Sequence, residues 1–196
     1  MEIRKITKEE VNALPLMKYE GKCQIIENQN QIPKAIEACK SASVLGFDTE
    51  TKPAFRKGEF YPVALLQIAL PDKVFLFRLN KIKLTEEIVG LFEDPKIKIV
   101  GIGIRDDIKD LQKLRQFEPS GFVDLNEFGS ELGFESIGAR NYVGMFMNFR
   151  ISKSQQVSNW ENEKLTESQI SYAATDAWIC LDIYKKMIEI KDNLSE

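Results

Sequence analysis

The sequence predicts an α/β domain built on a mixed sheet with helices on both faces. Three observations carry that expectation. The chain has 196 residues, 43% of them hydrophobic, which is enough for one buried core and little more than one domain. Three β-rich runs, at residues 44–50, 63–70 and 74–79, follow one another with no helical pattern between them, and Pro71-Asp72 turns the second into the third. Such a meander makes antiparallel neighbours. From residue 84 the order changes to helix–strand alternation, which adds parallel strands and places helices against the sheet.

The elements read as follows. Residues 1–20 are set apart as an N-terminal leader, in which Thr7-Lys8-Glu9-Glu10 is a capping-box pattern opening a short helix that Pro15 ends. The domain, residues 21–196, begins with a short strand at 23–26. A helix at 31–41 follows, with Ile32, Ala35, Ile36 and Cys39 at helical spacing. After the meander, an amphipathic helix at 84–93 stops at Asp94-Pro95, residues 96–102 form a strand, 106–117 a helix, and 122–123 a last strand. The remainder is mostly helical, and Thr166-Glu167-Ser168-Gln169 caps a long helix reaching about residue 191. The count is five to six strands. No internal repeat or low-complexity stretch interrupts the chain.

Composition removes whole classes of chemistry. There is no histidine, so Ser-His-Asp and Cys-His catalysis, His-ligated zinc and an imidazole base are excluded. The formal charge is −3, from 27 Lys+Arg against 30 Asp+Glu, with no polybasic run. Cys23, Cys39 and Cys180 are odd in number and far apart, and read as reduced core residues of an intracellular protein. The charged N-terminus lacks a signal-peptide core, and no apolar run approaches a membrane span. The expectation is a cytoplasmic protein with no membrane contact.

Carboxylates then appear where a core is expected. In Val44-Leu45-Gly46-Phe47-Asp48-Thr49-Glu50, alternation puts Asp48 and Glu50 on one face, about 7 Å apart along the pleat. Taken alone, the pair is equally compatible with solvation at a strand end. Asp107 shares a helical stripe with Leu111 and Leu114, facing inward, although Asp106 or Asp107 is also suited to cap that helix, Asp106 better. In the long helix, Ile170, Ala174, Ala177, Leu181, Tyr184 and Ile188 make one apolar stripe, and Tyr172, Asp176, Ile179 and Ile183 a second row opposite. Asp176 is the only charge on that row, with no Lys or Arg at the neighbouring helical positions, and a lone buried carboxylate costs several kcal/mol unless something pairs it. Convergent Asp and Glu are hard oxygen ligands that suit Mg²⁺ or Mn²⁺ and suit zinc poorly. Two such ions about 3.5–4 Å apart serve in-line phosphoryl displacement, which points to a nuclease or phosphotransferase.

At these residues the sequence resembles the 3′→5′ exonucleases of the four-carboxylate superfamily in its tyrosine subgroup, which includes ribonuclease D and the exonuclease domain of the Werner syndrome helicase. The D-x-E motif is Asp48-Thr49-Glu50; the second motif is Val100-Gly101-Ile102-Gly103-Ile104-Arg105-Asp106-Asp107; the third, Y-x-x-x-D, is Tyr172-Ala173-Ala174-Thr175-Asp176. Lys153-Ser154-Gln155-Gln156-Val157-Ser158-Asn159-Trp160 is similar to the segment preceding the third motif, and the resemblance covers about residues 21–190. It implies a ribonuclease-H-like fold, two divalent ions (Mg²⁺ or Mn²⁺) on Asp48, Glu50, Asp107 and Asp176, and Tyr172 orienting the attacking water. Without the motif, Tyr172 reads as a buried aromatic. The implied reaction releases nucleoside 5′-monophosphates from the 3′ end of single-stranded or 3′-ended DNA or RNA, with Thr49, Lys153 and Ser158 contacting substrate. Phe55 or Leu65 is a candidate to meet the terminal base. The histidine-free composition fits only the tyrosine subgroup, and two bound ions would turn the chain's formal −3 into about +1, with the added charge concentrated where a phosphate must sit.

Other features weigh less. Gly101-Ile102-Gly103 lacks the third glycine of a dinucleotide loop, since residue 106 is Asp. Asp124 reads as a helix cap, with a place beside the ligand carboxylates as the alternative. Arg56-Lys57, Arg140, Arg150 and Lys153 are candidate phosphate contacts, although scattered basic residues are commonly solvated surface. Ribonuclease D and the Werner protein carry further domains, so a lone exonuclease domain with a short leader is expected to take short oligonucleotides, or substrate handed over by a protein partner. The rival class is a non-catalytic nucleic-acid-binding module, which should have lost a carboxylate; a phosphatase or a nuclease for small nucleotides would keep the metal site without a basic groove.

Overall fold

The computed structural model describes residues 5–195. Six strands form one sheet: β1 (Lys22–Ile26), β2 (Val44–Thr51), β3 (Val63–Ala69), β4 (Lys73–Phe77), β5 (Lys98–Gly101) and β6 (Phe122–Asp124), in the order β1-β4-β3-β2-β5-β6. β2, β3 and β4 are the predicted antiparallel meander. β5 and β6 extend it in parallel on one side, and β1 pairs in parallel with β4 on the other.

β3 lies at the centre and is buried at every position, which is why it reads as an almost unbroken apolar run. Its Leu66 and Ile68 join Phe47, Phe92 and Ile36 in the core beneath α2 (Ile32–Lys40) and α4 (Glu86–Phe92). Pro33 sits in the first turn of α2, where its missing N–H costs nothing. Leu65 and Ala69 face the other way, against Ala173, Ala174 and Ala177 of α8 (Glu167–Ser195). The alanines let that helix lie close on the sheet. At Gly46 of β2 a Cβ would stand 2.1 Å from the Ala177 carbonyl oxygen, so only glycine admits this approach.

Several expectations are corrected. Along α8, Ala174 and Ala177 of the predicted stripe and Ile179 and Ile183 of the opposite row are buried, as are Ala173, Cys180, Met187 and Ile190, whereas Ile170, Leu181, Tyr184 and Ile188 of the predicted stripe are only half-buried. β4 ends at Phe77 and a short helix, α3 (Leu79–Ile82), takes its last predicted residue. In α5 (Arg105–Leu114), Leu111 is buried but Leu114 is 38% exposed, so the inward stripe stops one turn early. Asp106 does not cap α5; it is exposed and pairs with Lys109 at 2.8 Å. Asp124 does cap α6 (Leu125–Glu131), accepting from the Asn126 N–H at 2.9 Å, and it also accepts from Gly103 and Ile104 N–H, fixing the turn into α5. Between α7 (Ala139–Met147) and α8 the chain is not helical. The wholly buried Trp160 and the buried Arg78, which donates to the Glu163 carbonyl at 3.1 Å and to that of Asn162, hold this connection down.

The leader helix α1 (Lys8–Ala13) has both halves of its capping box, Thr7 N–H to Glu10 at 2.7 Å and Glu10 N–H to Thr7 at 3.2 Å. Val11 is buried against α7, and backbone bonds of 2.9 Å tie Met17 N–H to the Arg150 carbonyl and Arg150 N–H to that of Pro15. The three cysteines are free. Among the described residues no helix is long and apolar enough to cross a membrane.

Candidate active site

The close contact of α8 with β2 brings carboxylates from two elements together. One oxygen from each of Asp48, Glu50 and Asp176 lies within 4.8 Å of the others. Alternation puts the first two on the α8 face of β2, and Asp176 stands one residue before Ala177, the residue that Gly46 admits. Asp107, in the first turn of α5, is outside that cluster. Its carboxylate accepts a hydrogen bond from the Thr49 hydroxyl, which anchors it to the same strand, and its charge reaches Asp48.

These groups hold their protons unusually tightly. Burial comes first, then mutual repulsion: Asp48 is raised well above the carboxylate range, and Glu50 is pushed up to about 10. Burial lifts Asp176 to about 7, against the lowering effect of a hydrogen bond from the Tyr172 hydroxyl. Asp107 is raised by burial, opposed by the Thr49 bond. Among the described residues no Lys or Arg forms an ion pair with any of the four. A set of converging, uncompensated hard oxygens fits a divalent cation such as Mg²⁺ or Mn²⁺.

Tyr172, one turn before Asp176, rests its ring 6.1 Å from that of Trp160. Burial and the nearby Asp176 and Glu50 raise its pKa, so it is a neutral donor. Two cavities open on Tyr172 and Asp176. One of about 500 Å³ is lined by Leu16, Met17 and several hydroxyls, and the other, of about 520 Å³, also reaches Asp48 and is lined by Lys8, Arg140 and Lys153. Lys153 is thus at the site. Ser158 faces α8, where its hydroxyl accepts from the Gln169 amide at 2.8 Å. Leu65 is wholly buried and out of reach of a base, whereas Phe55 is 80% exposed.

Two neighbours of the site were not singled out from sequence. Gln67 is wholly buried directly opposite Asp48 in the β2–β3 register, and neither its amide nitrogen nor its oxygen has a partner in the structure. Its signal was present: it is the only polar residue in Val63-Ala64-Leu65-Leu66-Gln67-Ile68-Ala69-Leu70. Lys8 belongs to the leader, and its spacing gives no sign of where it lies.

Comparison with known proteins follows the same lines. A 3′-5′ exonuclease family model matches residues 23–190. The mouse bifunctional 3′-5′ exonuclease/ATP-dependent helicase WRN is 31% identical over 155 residues, covering 76% of this chain and 11% of that protein. Ribonuclease D of Bartonella henselae is 27% identical over 194 residues, covering 95% of this chain and 46% of the relative. The chain spans only part of the length of these relatives, and 56% of a 3′-5′ exonuclease of Drosophila yakuba. Among solved structures, the Nibbler EXO domain of Aedes aegypti superposes with a TM-score of 0.80 at 22% identity, covering 93% of this chain and 94% of that one. RNase D of Escherichia coli also gives 0.80, at 21% identity, over 88% of this chain and 46% of its own. The fold is ribonuclease-H-like, as in these exonuclease domains.

Proposed function

The chain belongs to the 3′-5′ exonuclease family, and on that premise we propose that it is a metal-dependent nuclease that removes nucleotides one at a time from the 3′ end of a nucleic-acid strand, releasing nucleoside 5′-monophosphates. The observation that carries the reading is the convergence of Asp48, Glu50 and Asp176, oxygens within 4.8 Å, with no basic partner among the described residues. With Asp107 these residues would hold two Mg²⁺ or Mn²⁺ ions. Such ions, when bound, supply an activated water and stabilise the leaving oxygen.

The chain's own residues do the rest. Tyr172, a neutral donor beside Asp176, is placed to orient the attacking water. Thr49 fixes Asp107 through its hydroxyl, and its backbone N–H supports the ionised form of Asp48. Lys153, exposed at the cavity rim, is suited to the phosphate backbone. Ser158, whose hydroxyl oxygen accepts from the Gln169 amide, keeps its own O–H to donate to substrate. The relatives' names cover both chemistries: an Aquifex aeolicus DNA polymerase I is 26% identical to this chain over 171 residues, and a Trypanosoma brucei RNase D is solved with RNA U12. Both DNA and RNA therefore enter the test, and short strands are used because a substrate handed over by a protein partner is the alternative to acting on short oligonucleotides.

The experiment incubates 5′-labelled single strands and 3′-recessed duplexes of DNA and RNA with Mg²⁺ or Mn²⁺, wild type beside Asp48→Ala. The expected result is a ladder of stepwise shortening that requires metal and disappears in the variant. Endonucleolytic fragments, or equal activity in Asp48→Ala, would defeat the proposal.

A further inference from the structure

Both cavities that reach Asp176 are walled on one side by the leader, which lies ahead of the matched family region beginning at residue 23. Their charges differ. The cavity beneath Leu16 and Met17 sets one lysine, Lys18, against Glu20 and Glu167. The other is lined by Lys8, Arg140 and Lys153, and its only acids are the site carboxylates Asp48 and Asp176. These three cations come from α1, from the opening turn of α7 and from the connection before α8. Among the described residues none of them forms an ion pair.

The leader is fastened at this place. Ile6 N–H donates to the Ser136 hydroxyl at 3.3 Å, and the Arg140 guanidinium donates to Asn12 at 2.8 Å, so α1 orients Arg140 as well as supplying Lys8. Gly144 of α7 lets Ile6, Val11 and Leu14 pack down, with its own Cβ position 3.0 to 3.4 Å from their methyl carbons. A strand of nucleic acid needs cations spaced along its phosphates, and unpaired Lys and Arg converging on the reaction site from separate segments supply them.

From this arrangement we infer that the leader is part of the substrate groove: Lys8 of α1, together with Arg140 and Lys153, binds backbone phosphates of a single strand on its way to the carboxylates. This rests on the exonuclease reading for its substrate, but the binding surface is tested without catalysis. The cavity beneath Leu16 and Met17, which carries a surplus of acid, is not the path of the polyanion.

The test measures binding of a fluorescently labelled 12-nucleotide single strand by anisotropy in Ca²⁺, for wild type, Lys8→Glu, Lys8→Ala and Lys8→Arg. Lys8 is exposed at the first position of α1, where Glu is favoured by the helix dipole, so Lys8→Glu keeps the leader folded. A thermal melt of each variant confirms this. The expected result is about tenfold weaker binding for Lys8→Glu. Lys8→Ala should lower the slope of log affinity against log salt by about 0.7, the value for one phosphate contact on a single strand. Lys8→Arg should restore both. Wild-type affinity and slope in Lys8→Glu would overturn the inference, as would weaker binding with an unchanged salt slope in Lys8→Ala. If the strand binds as expected but is not shortened in Mn²⁺, the groove stands and the catalytic reading fails.

Discussion

Replacing Asp176 by Asn tests whether the carboxylates are held together for a cation. In the metal-free protein the native state keeps the Asp176 proton to about pH 7, against 3.8 ordinarily. The native state therefore binds protons more tightly than the unfolded chain. The stability this confers is full below about pH 4 and is lost as pH rises through about 7. About three pH units, at about 1.4 kcal/mol each, make roughly 4 kcal/mol of strain at pH 8 from this group. Asp176→Asn removes the charge and keeps an oxygen for the Tyr172 hydroxyl, but buries an amide nitrogen with no evident acceptor. That offsets about half of the gain and leaves roughly 2 kcal/mol. For a chain of this size each kcal/mol moves Tm by about 2–4 °C. In EDTA at pH 8 the variant should therefore melt about 4–8 °C above wild type, and toward pH 4 it should fall below wild type, because the strain is gone there while the amide's cost of roughly 2 kcal/mol remains. Mn²⁺ at a hundred times its Kd should raise wild-type stability by about 2.7 kcal/mol and the variant's far less. Scanning calorimetry from pH 4 to 8, with and without Mn²⁺, reads both effects. A variant that melts at or below wild type at pH 8, or gains as much from Mn²⁺, would refute the reasoning.

Other substitutions separate the parts of the site. Tyr172→Phe keeps the ring beside Trp160 and removes the hydroxyl, so stability should change by less than about 1 kcal/mol, while kcat falls at least tenfold (about 1.4 kcal/mol) with KM little altered; steady-state kinetics on a short oligonucleotide decides. Gly46→Ala drives a methyl into the Ala177 carbonyl oxygen and should cost about 3 kcal/mol or more, with Mn²⁺ affinity lost alongside, both measurable by thermal melts with added metal. Gln67→Leu removes two unpaired buried groups, and its metal-free Tm should stay level or rise; a fall of several degrees would mean that the amide is bonded in solution.

What the sequence discloses follows the range of the interactions. Asp48, Glu50 and Asp176 are legible because each breaks a local apolar period, and period is a property of a few neighbouring residues. The parallel pairing of β1 with β4 is not legible, because it joins residues 22–26 to 73–77 through contacts no short window contains. The face of α8 is misjudged for a related reason. The helix is apolar on more than one side, and what selects Ala177 for the tightest contact is the glycine across from it on β2. Leu114 fails similarly: the core beneath α5 ends at Leu111, and helical spacing alone cannot see where it ends. The leader's capping box was readable to the residue, while its docking on α7 depends on Gly144 and Ser136, far along the chain.

The site lies where helix and sheet approach most closely, and this ties stability to function. Small residues at Gly46 and Ala177 bring α8 onto β2, which sets Asp176 against Asp48 and Glu50. The repulsion among those carboxylates works against the same contact, and without a cation it is relieved only by the protons they hold. A tighter helix–sheet contact therefore makes a better cation site and adds repulsion that its packing must outweigh in the metal-free protein. A looser one relieves the repulsion but separates the ligands. Bound cations remove the conflict, because they convert the repulsion into coordination and leave positive charge for the phosphate that Lys8, Arg140 and Lys153 would guide in. Thermal stability and metal affinity should accordingly change together in variants of the Gly46–Ala177 contact, and in opposite directions in variants that only remove a carboxylate.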